Sequence, residues 1–191
     1  MKRIRDILML LTVAVAFGFS LVLFQRAVGL ASPWFALLLM LDFLGLIAFA
    51  RPLLVLRLPG WLRSPHEWEL QGRLYKILHV PSFGALLRRT PLRHLNPLVY
   101  LSQDSDRSQV QAQIESAEAA HLFAAALILP YMAYAVYQGW WTAVLWLTAI
   151  QIGFNLYPIM HLRWVRARLN RLSTRIIAGN RADICKSRVY L

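Results

Sequence analysis

Residues 121–160 read HLFAAALILPYMAYAVYQGWWTAVLWLTAIQIGFNLYPIM and contain no Lys, Arg, Asp or Glu. A bilayer core about 30 Å thick is crossed by roughly 20 helical residues, so this stretch is long enough to cross twice. Near its middle stands Gln138-Gly139, a turn signal. The reading is two membrane helices, 121–137 and 141–160, joined as a tight antiparallel hairpin. Helices are required because the hydrocarbon offers no water to satisfy free backbone groups.

Working outward towards the amino end, two further apolar runs meet the same length, Ile7 to Phe24 and Trp34 to Ala50, the second bounded by Pro33 and Pro52. The first follows Lys2, Arg3 and Arg5, as a signal peptide would. It is longer than the usual core of ~7–15 residues and a second span follows at once, so it is expected to stay as an anchor. The fold class expected is therefore all-α: a polytopic membrane protein forming one integral membrane domain with four transmembrane helices.

The 191 residues are 58% hydrophobic with a net charge of +12, and the charge is unevenly placed. Of the 21 Lys and Arg, three precede the first run, only Arg26 separates the first two, nine lie from Arg51 to Arg107 and eight follow Met160. Positive-inside bias then puts both termini and the central segment on the cytoplasmic side. Basic flanks of this kind account for the charge without nucleic acid. Trp34, Trp140, Trp141 and Trp164 stand near predicted span ends, where aromatic rings favour the interface. Cys185 is the only cysteine, which excludes an intramolecular disulfide and a cysteine-built metal site.

Segment 51–120 is too interrupted by proline and charge to cross, yet too apolar for a plain linker. Leu53 to Leu62 and Gly72 to Arg89 mix apolar residues with arginines, a pattern of short amphipathic helices lying on the cytoplasmic leaflet. The stretch from Ser102 to Gln113 is the most water-like, and a helix is expected to run from Gln109 into the third span. Residues 161–191 form a basic cytoplasmic tail.

Candidate chemistry gathers at the cytoplasmic ends of the hairpin. Glu115, Glu118 and His121 recur at three-residue spacing, which places them on one helix face. Glu118 and His121 fit an acid/base pair, the carboxylate orienting the imidazole; they equally fit a helix start whose acids suit its dipole. A single E-x-x-H copy does not build the two-copy di-iron site of carboxylate bundles. At the other end come Asn155, Pro158, His161, Arg163, Arg166 and Arg168. Asn155 inside an apolar helix reads as helix-to-helix glue. The arginines read either as snorkelling anchors or as forks for phosphate. An antiparallel hairpin would bring Glu118, His121, His161 and Arg163 to one depth. Asp42, the one acid well inside an apolar run, is either functional or held neutral or paired, for instance with Asn155.

Taken in order, E69-L-Q-G-R-L-Y75 with Val80 and Phe83 after it, E118-A-A-H121 and N155-L-Y-P-I-M-H-L-R-W-V-R-A-R168 resemble the glycosyl-4,4'-diaponeurosporenoate acyltransferase family of carotenoid biosynthesis, as a distant member. The likeness runs from about Glu69 to Arg168. Leu162, Trp164 and Val165 stand where the family pattern has glutamine, tyrosine and asparagine. The resemblance implies transfer of an acyl chain from a thioester, with acyl-coenzyme A as donor and no cofactor or metal, to a hydroxyl of a lipid or glycolipid. It implies Glu118 and His121 as the catalytic pair, and Glu69, Tyr75, Asn155, His161, Arg163, Arg166 and Arg168 as substrate-binding. The partners implied are membrane lipids and these two substrates, in a bacterial inner membrane; nothing in the sequence sets an oligomeric state. Two other readings fit the same polar rim: a small membrane lipid methyltransferase or reductase, and a non-enzymatic scaffold subunit binding anionic lipid or protein.

Overall fold

A computed structural model describes residues 2–50, 58–90 and 107–171, and all of the regular structure among them is helical. The helices are α1 (Lys2–Val28), α2 (Pro33–Ala50), α3 (Gly60–Arg63), α4 (Glu67–Gln71), α5 (Arg73–Ile77), α6 (Val80–Arg89), α7 (Arg107–Tyr137) and α8 (Trp141–Gln151). A π-helical turn, Ile152–Leu156, continues α8, and residues 157–171 resume the helix. The expected features at 51–57, 91–106 and 172–191 lie outside the described residues.

Three helices are long and apolar enough to cross a membrane: Ile4–Val28, Gln109–Tyr137 and Trp141–Arg171. They contain the first, third and fourth expected spans. The second expected span is the helix α2, whose apolar part within the described residues, Pro33–Ile47, is shorter than the other three. The exposed Leu8, Leu11, Val15 and Phe19 of α1 form an apolar surface that lipid, not water, suits as solvent.

The chain divides into two compact units, Met1–Leu58 with Glu115–Ile159, and Pro59–Ile114 with Met160–Leu191. In the first, α1 ends at Gly29 (φ 76°), whose N–H donates to the Gln25 carbonyl. Ser32 then caps α2, its hydroxyl accepting from the Trp34 N–H at 3.2 Å. Ala36 and Met40 of α2 pack with Ile128 of α7 and Leu147 and Ile150 of α8 as the apolar core. Two polar ties join other parts of this unit. Tyr131 donates to the Leu30 carbonyl at 2.6 Å, and Ser20 of α1 donates to the Asp42 carboxylate of α2. The partner the structure gives Asp42 is thus a serine on the neighbouring helix.

The turn between α7 and α8 is where the sequence placed it. Gly139 takes φ 70°, the left-handed region open to a residue without Cβ. Its N–H donates to Val136 O and that of Trp140 to Ala135 O, the paired bonds of a Schellman cap. Further on, Pro158 brings no N–H, and its ring crowds the carbonyl four residues back. The helix widens into the π turn just before it, with the Tyr157 N–H donating to Ile152 O.

In the second unit, α3 to α6 are short helices broken at Ser64–His66, Gly72 and Leu78–His79. Glu69, Tyr75, Val80, Val110, Ile114, Leu162 and Ala167 are buried in it. Trp61, Ile77 and Leu86 remain exposed.

Candidate functional site

Glu69 is a fully buried carboxylate in the second unit. It occupies the third position of α4, from which its Oε2 reaches back to the His66 N–H at 2.7 Å. Gly72 (φ 72°) ends α4 and turns the chain into α5. That turn brings Tyr75, six residues on, within 2.7 Å of Glu69 Oε1 through its hydroxyl. The planar fork of Arg163 closes the arrangement, donating from Nε to Oε1 and from Nη2 to Oε2, the latter at 2.7 Å. The carboxylate thus accepts four hydrogen bonds with no exposed surface, and Tyr75 is 1% exposed.

The electrostatics follow from this geometry. Burial alone would push the Glu69 carboxyl up, but the Arg163 guanidinium, the His66 N–H and the Tyr75 hydroxyl together outweigh it and hold the group at about 2. Burial, and then the Glu69 carboxylate, push the Tyr75 phenol up. Tyr75 is therefore a fixed donor rather than an acid near neutral pH.

Arg163 and Arg166 also bind the end of α3, where the Leu62 carbonyl accepts from Arg163 Nη1 at 3.1 Å and from Arg166 Nη2 at 2.9 Å. Arg166 is 1% exposed, so it does not snorkel as a surface anchor. Arg168 is exposed and lies over the Trp164 ring, 4.9 Å from its centroid. His161 is buried between rings, with the Phe83 centroid at 6.2 Å and that of Trp164 at 6.0 Å. It sits so close to α6 that a Cβ on Gly84 would meet its Cε1 at 2.3 Å. Gly84 is the gap the imidazole fills.

In the first unit, Glu118 is buried on α7, one turn before a half-buried His121. His121 Nδ1 lies 3.3 Å from Asn155 Oδ1 in the π turn. The Asn155 amide nitrogen donates to Gln151 Oε1 at 2.6 Å and to the Met40 sulfur at 3.4 Å. Gln151 Nε2 in turn donates to the Ala125 carbonyl at 3.2 Å. Asn155 thus ties α8 to both α2 and α7, as expected of a polar residue in an apolar helix. A π turn inside a helix is also a frequent mark of functional sites.

The structure therefore sorts the sequence-derived candidates. Glu69, Tyr75 and Arg163 form one cluster, joined through Leu62 to Arg166; His121 and Asn155 form another with Gln151 and Met40. Gln151 and Gly84 were not anticipated. The first was legible as a second amide one turn from Asn155; the second had no sequence signal, since close approach depends on packing. Among the described residues no three His, Cys, Asp or Glu side chains group as a metal site would need.

Comparison with known proteins places these clusters in one context. The family model for glycosyl-4,4'-diaponeurosporenoate acyltransferase matches residues 59–175, a range that holds Glu69, Tyr75, Glu118, His121, Asn155, His161, Arg163, Arg166 and Arg168 but neither Asp42 nor Met40. No curated protein and no solved structure matches the chain. With most of its length covered, the chain belongs to the glycosyl-4,4'-diaponeurosporenoate acyltransferase family.

Proposed function

We propose that this chain moves an acyl chain from an acyl thioester, acyl-coenzyme A, to a hydroxyl of a lipid or glycolipid at the cytoplasmic face of a bacterial inner membrane. In this reading α2 is a fourth span and both termini are cytoplasmic. The observation that carries it is the pairing of His121 with Asn155, 34 positions apart and both within the range that the family model covers, in the midst of apolar helices. An imidazole held there by an amide is suited to act as a general base.

His121 takes the proton of the accepting hydroxyl as its oxygen attacks the thioester carbonyl. A C–O bond forms, the C–S bond breaks, and the imidazolium returns the proton to the leaving thiolate. Glu118, one turn away, favours the imidazolium electrostatically. Arg168, His161 and Arg166 of the second unit supply donors for the phosphates of coenzyme A. Glu69, Tyr75 and Arg163 hold the frame that carries them. No cofactor is consumed.

The test is a lipid-product assay in membranes with radiolabelled acyl-coenzyme A. General-base catalysis contributes about 10²–10⁴-fold, and His121→Ala should lose that much turnover. Glu118→Ala should lose less. Full lipid modification by both variants would remove the acid/base pair.

A further inference from the structure

The backbone carbonyl of Ala125 sets a direction for everything hydrogen-bonded beyond it. A carbonyl oxygen only accepts, so the end of Gln151 that meets it is the NH2 group. The other end, Oε1, then accepts, and the end of Asn155 facing it must be its NH2 group. Asn155 Oδ1 is left facing His121 Nδ1. An oxygen with no hydrogen cannot donate, so the ring nitrogen it meets must carry the proton.

We propose that Gln151 and Asn155 form an amide relay that holds the proton of neutral His121 on Nδ1, which makes Gln151 a positioning residue. Reversing the relay would set Gln151 Oε1 against the Ala125 carbonyl, two acceptors facing each other. That contact is part-buried, and the mismatch would forfeit its hydrogen bond and set two lone pairs against each other. The π turn and the i, i+4 spacing of the two amides keep them in line. The assignment runs against the default, because free neutral histidine favours the Nε2–H form. Its value to catalysis rests on the reading of His121 as the base, whereas the tautomer itself rests on the hydrogen bonds alone.

The test is 15N NMR of the full chain in lipid nanodiscs, with labelled histidine at a pH where His121 is neutral. The signal is assigned among the five histidines by its loss in His121→Gln. The wild type should show one Nδ1–H population. Gln151→Met, equal in length but unable to relay, should convert it to a mixture dominated by Nε2–H. Gln151→Glu, as a neutral acid, still donates to Ala125 and accepts from Asn155, and should restore the Nδ1–H form. A wild-type Nε2–H tautomer would overturn the relay without any variant having to fold, and so would a Gln151→Met spectrum unchanged from wild type. The lipid assay reads the acyltransferase reading separately: Gln151→Met should lower kcat severalfold with KM unchanged. A shifted tautomer with full kcat would remove His121 as the base and leave the relay standing.

Discussion

At the scale of single residues, the strongest commitment is the burial of Glu69 against Arg163. Removing one partner of a buried pair strands the other charge, at a cost of about 3–5 kcal/mol. Glu69→Ala should therefore lower the thermal midpoint of the full chain sharply, while Tyr75→Phe, which removes one hydrogen bond, should cost about 1 kcal/mol. The pH dependence has a definite sign. The Glu69 carboxyl is held at about 2, below its ordinary 4.5, so its contribution is complete above about 4.5. It is lost as pH falls from there towards 2. Thermal scans across that window should show the loss in wild type and a shallower slope in Glu69→Gln. None of this pairing was legible in the sequence. Glu69 and Arg163 stand 94 residues apart, and an arginine near a span end looks the same whether it binds headgroup phosphate or a buried carboxylate.

At the scale of elements, the sequence carried more. The Gln138-Gly139 turn, the helix running on from Gln109 and the helical segments around Gly72–Arg89 were readable because turn chemistry and apolar length are local signals. The breaks between α3, α4, α5 and α6 were only partly readable, since helices of four to ten residues leave little periodicity to detect. The packing of α6 on His161 was not readable at all. It makes a prediction in the form of a double-mutant cycle. A Cβ at Gly84 would lie 2.3 Å from the imidazole, so Gly84→Ala should destabilise by about 1–3 kcal/mol. His161→Ser should make room, and thermal unfolding of the double variant should show Gly84→Ala costing far less in that background. Equal costs in both backgrounds would mean that α6 does not rest on His161.

At the scale of the whole molecule, the charge census and the apolar blocks were the most legible features, because lipid imposes length and polarity on every crossing element. Three of the four expected spans lie in helices long and apolar enough to cross. A crossing α2 predicts that Ala31 and Ser64 lie on opposite sides. In a Cys185→Ser background, a membrane-impermeant maleimide added to right-side-out vesicles should label Ala31→Cys and leave Ser64→Cys unmodified. Labelling of both would return α2 to the membrane surface. The proposed reaction adds a sidedness of its own, since acyl-coenzyme A does not cross a bilayer. The most direct measurement is the incorporation of labelled acyl chains into lipid by inside-out and right-side-out vesicles containing the chain. Incorporation from added acyl-coenzyme A is expected in inside-out vesicles, abolished by His121→Ala, and none in right-side-out ones. Incorporation no greater than in inside-out vesicles lacking the chain would contradict the proposed reaction.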